Sequence, residues 1–291
     1  MSHEVKVNNE NRTSNEVFSA DQAQRAGFQV RDVMKDDFGF EVPVETVPLP
    51  SRGRVYSVES GLHNSETVDI KAMTAKEEDI LTSRALIKKG TVITELIKSC
   101  LVNKNLVVDE MIAGDRNALM TSIRITGYGS DYEAEVECPE CNERSKHNFS
   151  LLELPVKELD INPVAEGANL FEFDLPLTKK KVHFKFLTGK DETEIQTIME
   201  RRKKQGFAND SLVTTRLQHA IVAVAGVNDR NKVNAFIKNM PARDSLALRR
   251  HIDKNEPGVD MKTWLDCPSC YETSEVRLPM GANFFWPDTE R

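Results

Sequence analysis

The sequence predicts an α+β protein made of two duplicated helix-plus-ribbon units, preceded by an extended polar N-terminal arm. Two observations carry that reading. A CxxC pair in "VECPECNE" (Cys138, Cys141) returns 129 residues later in "LDCPSCYE" (Cys267, Cys270), and the residues ahead of it return at the same spacing. Around each pair, stretches of helical period give way to stretches of alternating period, so helices lead into hairpins.

The elements can be placed in order. Residues 1–35 are polar, rich in Asn and Ser and poor in aromatics, and read as a flexible or partner-ordered arm. From Val42, "VPVETVPLPSRGRVYS" carries three prolines and a glycine, which favours extended chain and turns. "MTAKEEDILTSRALIKKG" marks a helix start, with Thr74 and Glu77 at capping-box spacing. Ile80, Leu81, Leu86 and Ile87 should form its apolar face, and Gly90 is a suitable stop. A second helix is expected from Thr91 or Thr94 through Val102. A third contains Asp115, with Leu119, Met120 and Ile123 inward. Tyr132, Ala134 and Val136 then alternate with polar residues as in a strand, and "KHNFSLLEL" can return beside it. A strand, a tight CPxC turn and a returning strand make a zinc-ribbon-like hairpin.

The second half repeats this order. "KVHFKF" is a strand, and Thr188 stands three residues before Asp191 as a second capping box. "VTTRLQHAIVAVAG" reads as an apolar helix or buried segment ending at Gly226. "MPARDSLALRRHI" is a helix, "MKTWLD" a strand entering the second turn and "TSEVRLPMG" its return. The shift of 129 carries Met111 to Met240, Asp115 to Asp244, Leu119 to Leu248, Ile123 to Ile252, Pro139 to Pro268 and Glu143 to Glu272 without a gap. Upstream, Thr74 and Thr188 lie 114 apart, so the intervening stretch is longer in the second copy. Duplication is the economical account. It divides the chain into an arm (1–35), a first unit (36–160) and a second unit (161–291).

Composition narrows the function. Of 291 residues, 39% are hydrophobic and 29% charged, enough for a sizeable core. No apolar run approaches the roughly 20 residues that cross a bilayer, and the N-terminus lacks the apolar core of a secretory signal; the expectation is an intracellular protein without membrane insertion. The net charge of −7 opposes a sequence-independent nucleic-acid footprint. The local basic runs at 179–181 and 201–204 read as solvated faces.

The five cysteines are an odd, sparse set, unlike a secreted disulfide framework. Cys100, at helical spacing from Leu96 and Ile97, reads as a core thiol. The other four suit zinc, which takes four ligands in a tetrahedron with thiolates at about 2.3 Å. One CxxC turn supplies half a site. Two turns meeting across a pseudo-twofold axis complete one shared site at Cys138, Cys141, Cys267 and Cys270. With four sulfurs there is no open position for substrate water, so the expected ion is structural. A redox CxxC is the main rival for either pair, but it needs only one, and neither pair opens a helix after a parallel strand. An iron–sulfur cluster uses similar ligands; matched CPxC knuckles on hairpins favour zinc.

No catalytic or cofactor-binding constellation emerges. The six histidines (His3, His63, His147, His183, His219, His251) are scattered, and neither a phosphate loop nor a dinucleotide fingerprint is present. Asp115 and Asp244 read as carboxylates serving their own helix N-termini. Phe284, Phe285 and Trp286 in "NFFWPD" could anchor a partner or pack on the protein's own core.

"VPLPSRGRVYS", "MTAKEEDIL", "AGDRNALMTSIRITGYGSDYEAEVECPEC" and "DCPSCYETSEVRLPMGANFFWPD" together resemble the baseplate hub subunit and assembly proteins of T-even-type contractile bacteriophages, over most of residues 45–288. The resemblance implies a non-enzymatic role in building the central baseplate, as virion subunit or assembly factor. It implies other tail proteins as partners in a multi-subunit assembly, in the virion or the host cytoplasm, a setting that agrees with reduced cysteines. The alternative reading is a zinc-ribbon nucleic-acid-binding module.

Overall fold

The computed structural model describes residues 29–35, 41–206, 211–280 and 284–285. Strands β1 (Gln29–Lys35), β2 (Glu41–Pro48) and β3 (Thr67–Lys71) form an antiparallel sheet in that order. β1 thus occupies the end of the segment expected to be an arm; residues 1–28 lie outside the described part. Val68 and Ile70 of β3 alternate inward, whereas β2 buries Val44, Glu45 and Val47 and so has residues covered on both faces.

Helix α1 (Ala75–Thr82) begins at the expected capping box, in which the Thr74 amide donates to Glu77 Oε2 at 3.0 Å. Glu77 is fully buried and is reached also by Lys71 Nζ (2.8 Å) and Ser99 Oγ (2.5 Å). Burial alone would raise its carboxyl, but these hydrogen bonds and that of Thr74 prevail and hold it at about 2. The helix does not run on to Gly90 as expected. Ser83 adopts extended backbone and splits off α2 (Arg84–Lys89), none of whose residues is buried; Ile87 is 53% exposed. Gly90 ends α2 at φ 71°, in the left-handed region that glycine tolerates. Helix α3 (Val92–Cys100) buries Leu96, Ile97 and Cys100. After a short 3-10 turn (Val108–Glu110), α4 (Ala113–Tyr128) leads into hairpin β4 (Asp131–Glu137) and β5 (Arg144–Ser150), in which Tyr132, Ala134 and Val136 face inward. The two-residue β6 (Val156–Lys157) closes this half.

β7 (Phe171–Asp174) and β8 (Lys181–Phe184) form the second half's hairpin, and α5 (Gly189–Lys204) follows through the Thr188–Asp191 capping box. The apolar stretch after it changes secondary structure partway. α6 (Leu212–Ala220) ends where the β-branched run begins, and β9 (Ile221–Val224) joins β8. Then come α7 (Arg230–Lys238), α8 (Ala242–Asn255), β10 (Gly258–Val259) paired with β6, and the hairpin β11 (Lys262–Asp266) and β12 (Thr273–Arg277). The architecture is α+β, with small antiparallel sheets and helices around a main buried apolar cluster that runs from Val47 to Phe285, and a smaller one at Leu187, Ile195 and Ala220.

Several local arrangements recur in both halves. Lys71 reaches Glu77 at 2.8 Å, and Lys185 reaches Asp191 at 2.7 Å. α3 and α6 are nine residues each, and each hands its last turn to the amide of the following residue. Asp115 and Asp244 do not serve their own helix ends as expected. Asp115 accepts from the Ser51 amide (2.9 Å), Ser51 Oγ (2.5 Å) and Tyr56 Oη (2.6 Å), whereas Asp244 accepts from the amides of Leu177 (2.7 Å) and Thr178 (3.0 Å). Each carboxylate therefore grips a loop next to a sheet, where unpaired loop amides are stronger calls on a buried acceptor than a helix end.

The halves interlock at α4. The Ala113 amide donates to Leu187 O at 2.7 Å and the Gly189 amide to Met111 O at 2.9 Å. A Cβ at Gly114 would lie 1.7 Å from Pro257 O, so only glycine lets α4 approach β10 this closely.

Candidate metal centre

Each CPxC turn is held by the same pair of backbone hydrogen bonds. The Cys138 amide donates to Glu143 O (2.9 Å) and the Asn142 amide to Cys138 O (2.8 Å); the Cys267 amide donates to Glu272 O (3.1 Å) and the Tyr271 amide to Cys267 O (2.9 Å). Asn142 (φ 58°) and Tyr271 (φ 63°) both take left-handed backbone, which turns the chain back into the returning strand. The hairpins lie against each other through β4 and β12, with Val136, Leu265 and Val276 buried there.

That packing brings all four predicted cysteines together: their sulfurs lie within 4.8 Å of one another. Two of the approaches cross between the hairpins, Cys138 Sγ to Cys270 Sγ at 3.8 Å and Cys141 Sγ to Cys267 Sγ at 3.6 Å. These are not disulfides, whose sulfurs sit at about 2.05 Å. A regular tetrahedron of thiolates about 2.3 Å from one ion has edges of about 3.8 Å, and the two crossing distances match it. Cys138 and Cys267 are buried and Cys141 is exposed, so the cluster lies at the rim of the hairpin pair.

The electrostatics suit a cation. Amides of Cys270 and Ser269 hydrogen-bond the Cys267 sulfur and pull its thiol down to about 6, as expected for a nascent thiolate. The Glu272 amide favours the Cys270 thiolate, yet burial and the three neighbouring sulfurs outweigh it and push that thiol up to about 12. Crowded thiols resist collective ionisation, and a divalent ion removes that conflict by replacing their protons. An all-sulfur, four-donor set with no other side chain in it fits zinc.

The remaining sequence expectations fall elsewhere. Cys100 is buried 38 positions from the first cluster cysteine, and its thiol is pushed up to about 12 by burial and by Glu77, an inert core sulfur. Phe284 and Phe285 are buried in the protein's own core, with Phe284 edge-on to Tyr132 at 5.3 Å; Trp286 lies outside the described residues. Lys179, Lys180 and Lys181 are exposed, as expected of a solvated run.

Arg124 was not singled out by sequence. It is 2% exposed, and donates from Nε to Phe284 O (2.8 Å), from Nη1 to Gly129 O (2.7 Å) and from Nη2 to Asp131 O (2.9 Å). Its signal was available: an arginine between Ile123 and Ile125, on a helix with both neighbours buried. It ties the C-terminal aromatics to the start of the first hairpin.

With this geometry in place, comparison with known proteins gives the class. The sequence pattern of a family described as "T4 bacteriophage base plate protein" matches residues 49–286, which places the chain among phage tail structural proteins. The chain belongs to that T4-type baseplate family, and its setting is the virion tail. No curated protein and no solved structure matches. Among the described residues no helix is long and apolar enough to cross a membrane.

Proposed function

We propose that this chain is a non-enzymatic building block of the baseplate hub, two duplicated units fastened to each other by one structural zinc on Cys138, Cys141, Cys267 and Cys270. The observation that carries the reading is that two thiol pairs 129 positions apart converge within 4.8 Å, with two crossing distances close to a tetrahedral edge, in a chain of the baseplate family. Sulfurs within 4.8 Å of one another suit a single ion better than a cluster of several irons. The matched capping boxes, aspartate grips and CPxC turns support duplication, with a first unit ending near residue 160 and a second running to the C-terminus. The zinc would make the pair a rigid block to which other tail proteins attach in the host cytoplasm or the finished particle.

The nucleic-acid alternative gains no support from the hairpin surface. On β4 the outward side chains are Glu133, Glu135 and Glu137, and the basic residues opposite, Arg144 and Lys146, pair with Glu137 and Glu133 at 2.8 Å. Such a face repels phosphate.

Metal analysis of purified protein tests the fastening: about one zinc per chain is expected, lost in Cys267→Ser together with a drop in melting temperature and retained in Cys100→Ser. Equal zinc in both variants refutes it. Mass spectrometry of purified particles tests the placement; the protein's absence both there and in baseplate assembly intermediates rules out the hub role.

A further inference from the structure

The tips of the two CPxC turns stand side by side as one knob, since their four sulfurs lie within 4.8 Å of one another. Glu140 and Glu143 of the first turn and Glu272 of the second are exposed on it and form no ion pair among the described residues. The cations nearby are already taken, Arg144 by Glu137 at 2.8 Å and Lys262 by Glu275 at 3.1 Å. The knob is therefore net negative. It also holds two aromatic rings in water. Tyr271 is 87% exposed, and Trp264, three residues before Cys267 on the outward face of β11, is 69% exposed. At the shift of 129 these positions are Asn142 and Glu135 in the first hairpin, so the hairpin itself does not require the rings. Exposed Trp and Tyr of this kind are the residues that anchor protein contacts.

A second surface has the opposite character. α2 buries none of its residues and presents Ile87 to solvent, followed by Lys88 and Lys89. Gly90, which ends α2, lies against the Gln196 side chain of α5. Two turns along that face of α5, about 10 Å on, stands Lys203, with Arg201 and Lys204 beside it in the last turn. These five cations are exposed and form no ion pair among the described residues. The single carboxylate within residues 197–204 is Glu200, which accepts from Gln196 at 3.3 Å, so the surface stays positive. In a chain of net charge −7, so many unpaired cations in one place are the exception.

Each surface answers the other. One offers carboxylates around aromatic rings, the other cations around an aliphatic side chain. We infer that the CPxC knob of one copy docks on the α2–α5 surface of a second copy of this chain. Glu140, Glu143 and Glu272 then neutralise the lysines, while Tyr271 and Trp264 pack on Ile87 and take Arg201 over a ring face. A nucleic acid would match the basic surface alone and would leave the aromatic knob without a role. Because knob and socket are built from different elements, the contact is head-to-tail, and each copy keeps one surface free for the next. The inference needs the two turns side by side, as they stand, and neither the zinc nor the hub role.

Sedimentation velocity of the full-length protein tests it. At low salt the wild type should associate as its concentration rises, and about 1 M salt, which screens charges beyond about 3 Å, should dissociate it. A knob variant (Trp264→Thr with Tyr271→Asn, asparagine being the residue at the matching left-handed position of the first turn) and a socket variant (Lys88→Glu with Lys203→Glu) should each weaken association by at least about tenfold. Glu140→Lys with Glu143→Lys attacks the knob through charge alone and should act the same way. All should keep the wild-type melting temperature, because every altered side chain is solvent-facing. An equimolar mixture of the knob and socket variants should form a dimer that grows no further, since one intact knob meets one intact socket. A wild type that stays monomeric at every concentration, association that the variants leave unchanged, or a mixture that stays monomeric overturns the inference. None of these outcomes depends on zinc content or on finding the protein in the particle.

Discussion

Replacing Asp115 with alanine should be among the most damaging single changes outside the cysteines. Its carboxylate is fully buried and accepts three hydrogen bonds, from the Ser51 amide at 2.9 Å, Ser51 Oγ at 2.5 Å and Tyr56 Oη at 2.6 Å. Ser51 is itself fully buried and Tyr56 is 6% exposed, so water cannot take over as acceptor. The amide has no other acceptor in reach and bears the full cost of an unmade bond, whereas the two hydroxyls can rotate and recover part of theirs. At about 1–3 kcal/mol per stranded donor, the sum is about 3–5 kcal/mol. For a chain of this size that corresponds to a fall in melting temperature of about 5–8 °C. Asp115→Asn keeps the shape and one carbonyl for the Ser51 amide, and its cost should be about 1–2 kcal/mol. Urea unfolding followed by circular dichroism, with calorimetry for the melting temperature, measures both. An alanine variant within about 1 kcal/mol of wild type refutes the reasoning, as does an asparagine variant equally damaged.

Three further outcomes follow from buried polar groups and close backbone contact. Glu45 is 4% exposed, its Oε2 has no hydrogen-bond partner among the described residues, and burial pushes its carboxyl up to about 7. The folded state therefore keeps a proton that the unfolded chain loses above about pH 4.5, and stability falls as pH climbs through 7; Glu45→Gln should gain up to about 3 kcal/mol at pH 8 and nothing at pH 4, read from urea midpoints across pH. Arg124→Met leaves the carbonyls of Phe284, Gly129 and Asp131 without their donor and should cost about 2–4 kcal/mol. It should also speed chymotryptic cleavage at Phe284 and Phe285; unchanged cleavage would count against the latch. Gly114→Ala forces α4 away from Pro257 and should destabilise by about 2–4 kcal/mol, whereas alanine at Gly206, which has nothing within 4 Å but a φ of +85°, should cost only the left-handed backbone strain of about 1 kcal/mol, a contrast that thermal melts resolve.

Much of this molecule is local and therefore legible in one dimension. The capping boxes at Thr74 and Thr188 depend on side chains three residues apart, the hairpin strands on strict alternation at Tyr132, Ala134 and Val136, and the CPxC turns on spacing alone. Repetition extended that reach: matched cysteine pairs pointed to a shared site, and the sulfurs do meet. Where local signals conflicted, the sequence misled. An apolar run from Val213 to Gly226 has no periodicity that says where helix yields to strand; the free edge of β8 settles that by pairing with β9. The continuous face through Ile87 failed because Ser83 takes extended backbone and no neighbour covers α2.

What the sequence by itself determined is the α+β composition, the two capped helix starts, the two CPxC hairpins and the four thiols, because each rests on contacts within a few residues. Tertiary structure alone decided the partners of Asp115 and Asp244 and the burial of Arg124 and Phe284. Those depend on groups 64, 66 and 160 positions apart, and nothing in a stretch of chain records which distant donor will fill a buried acceptor.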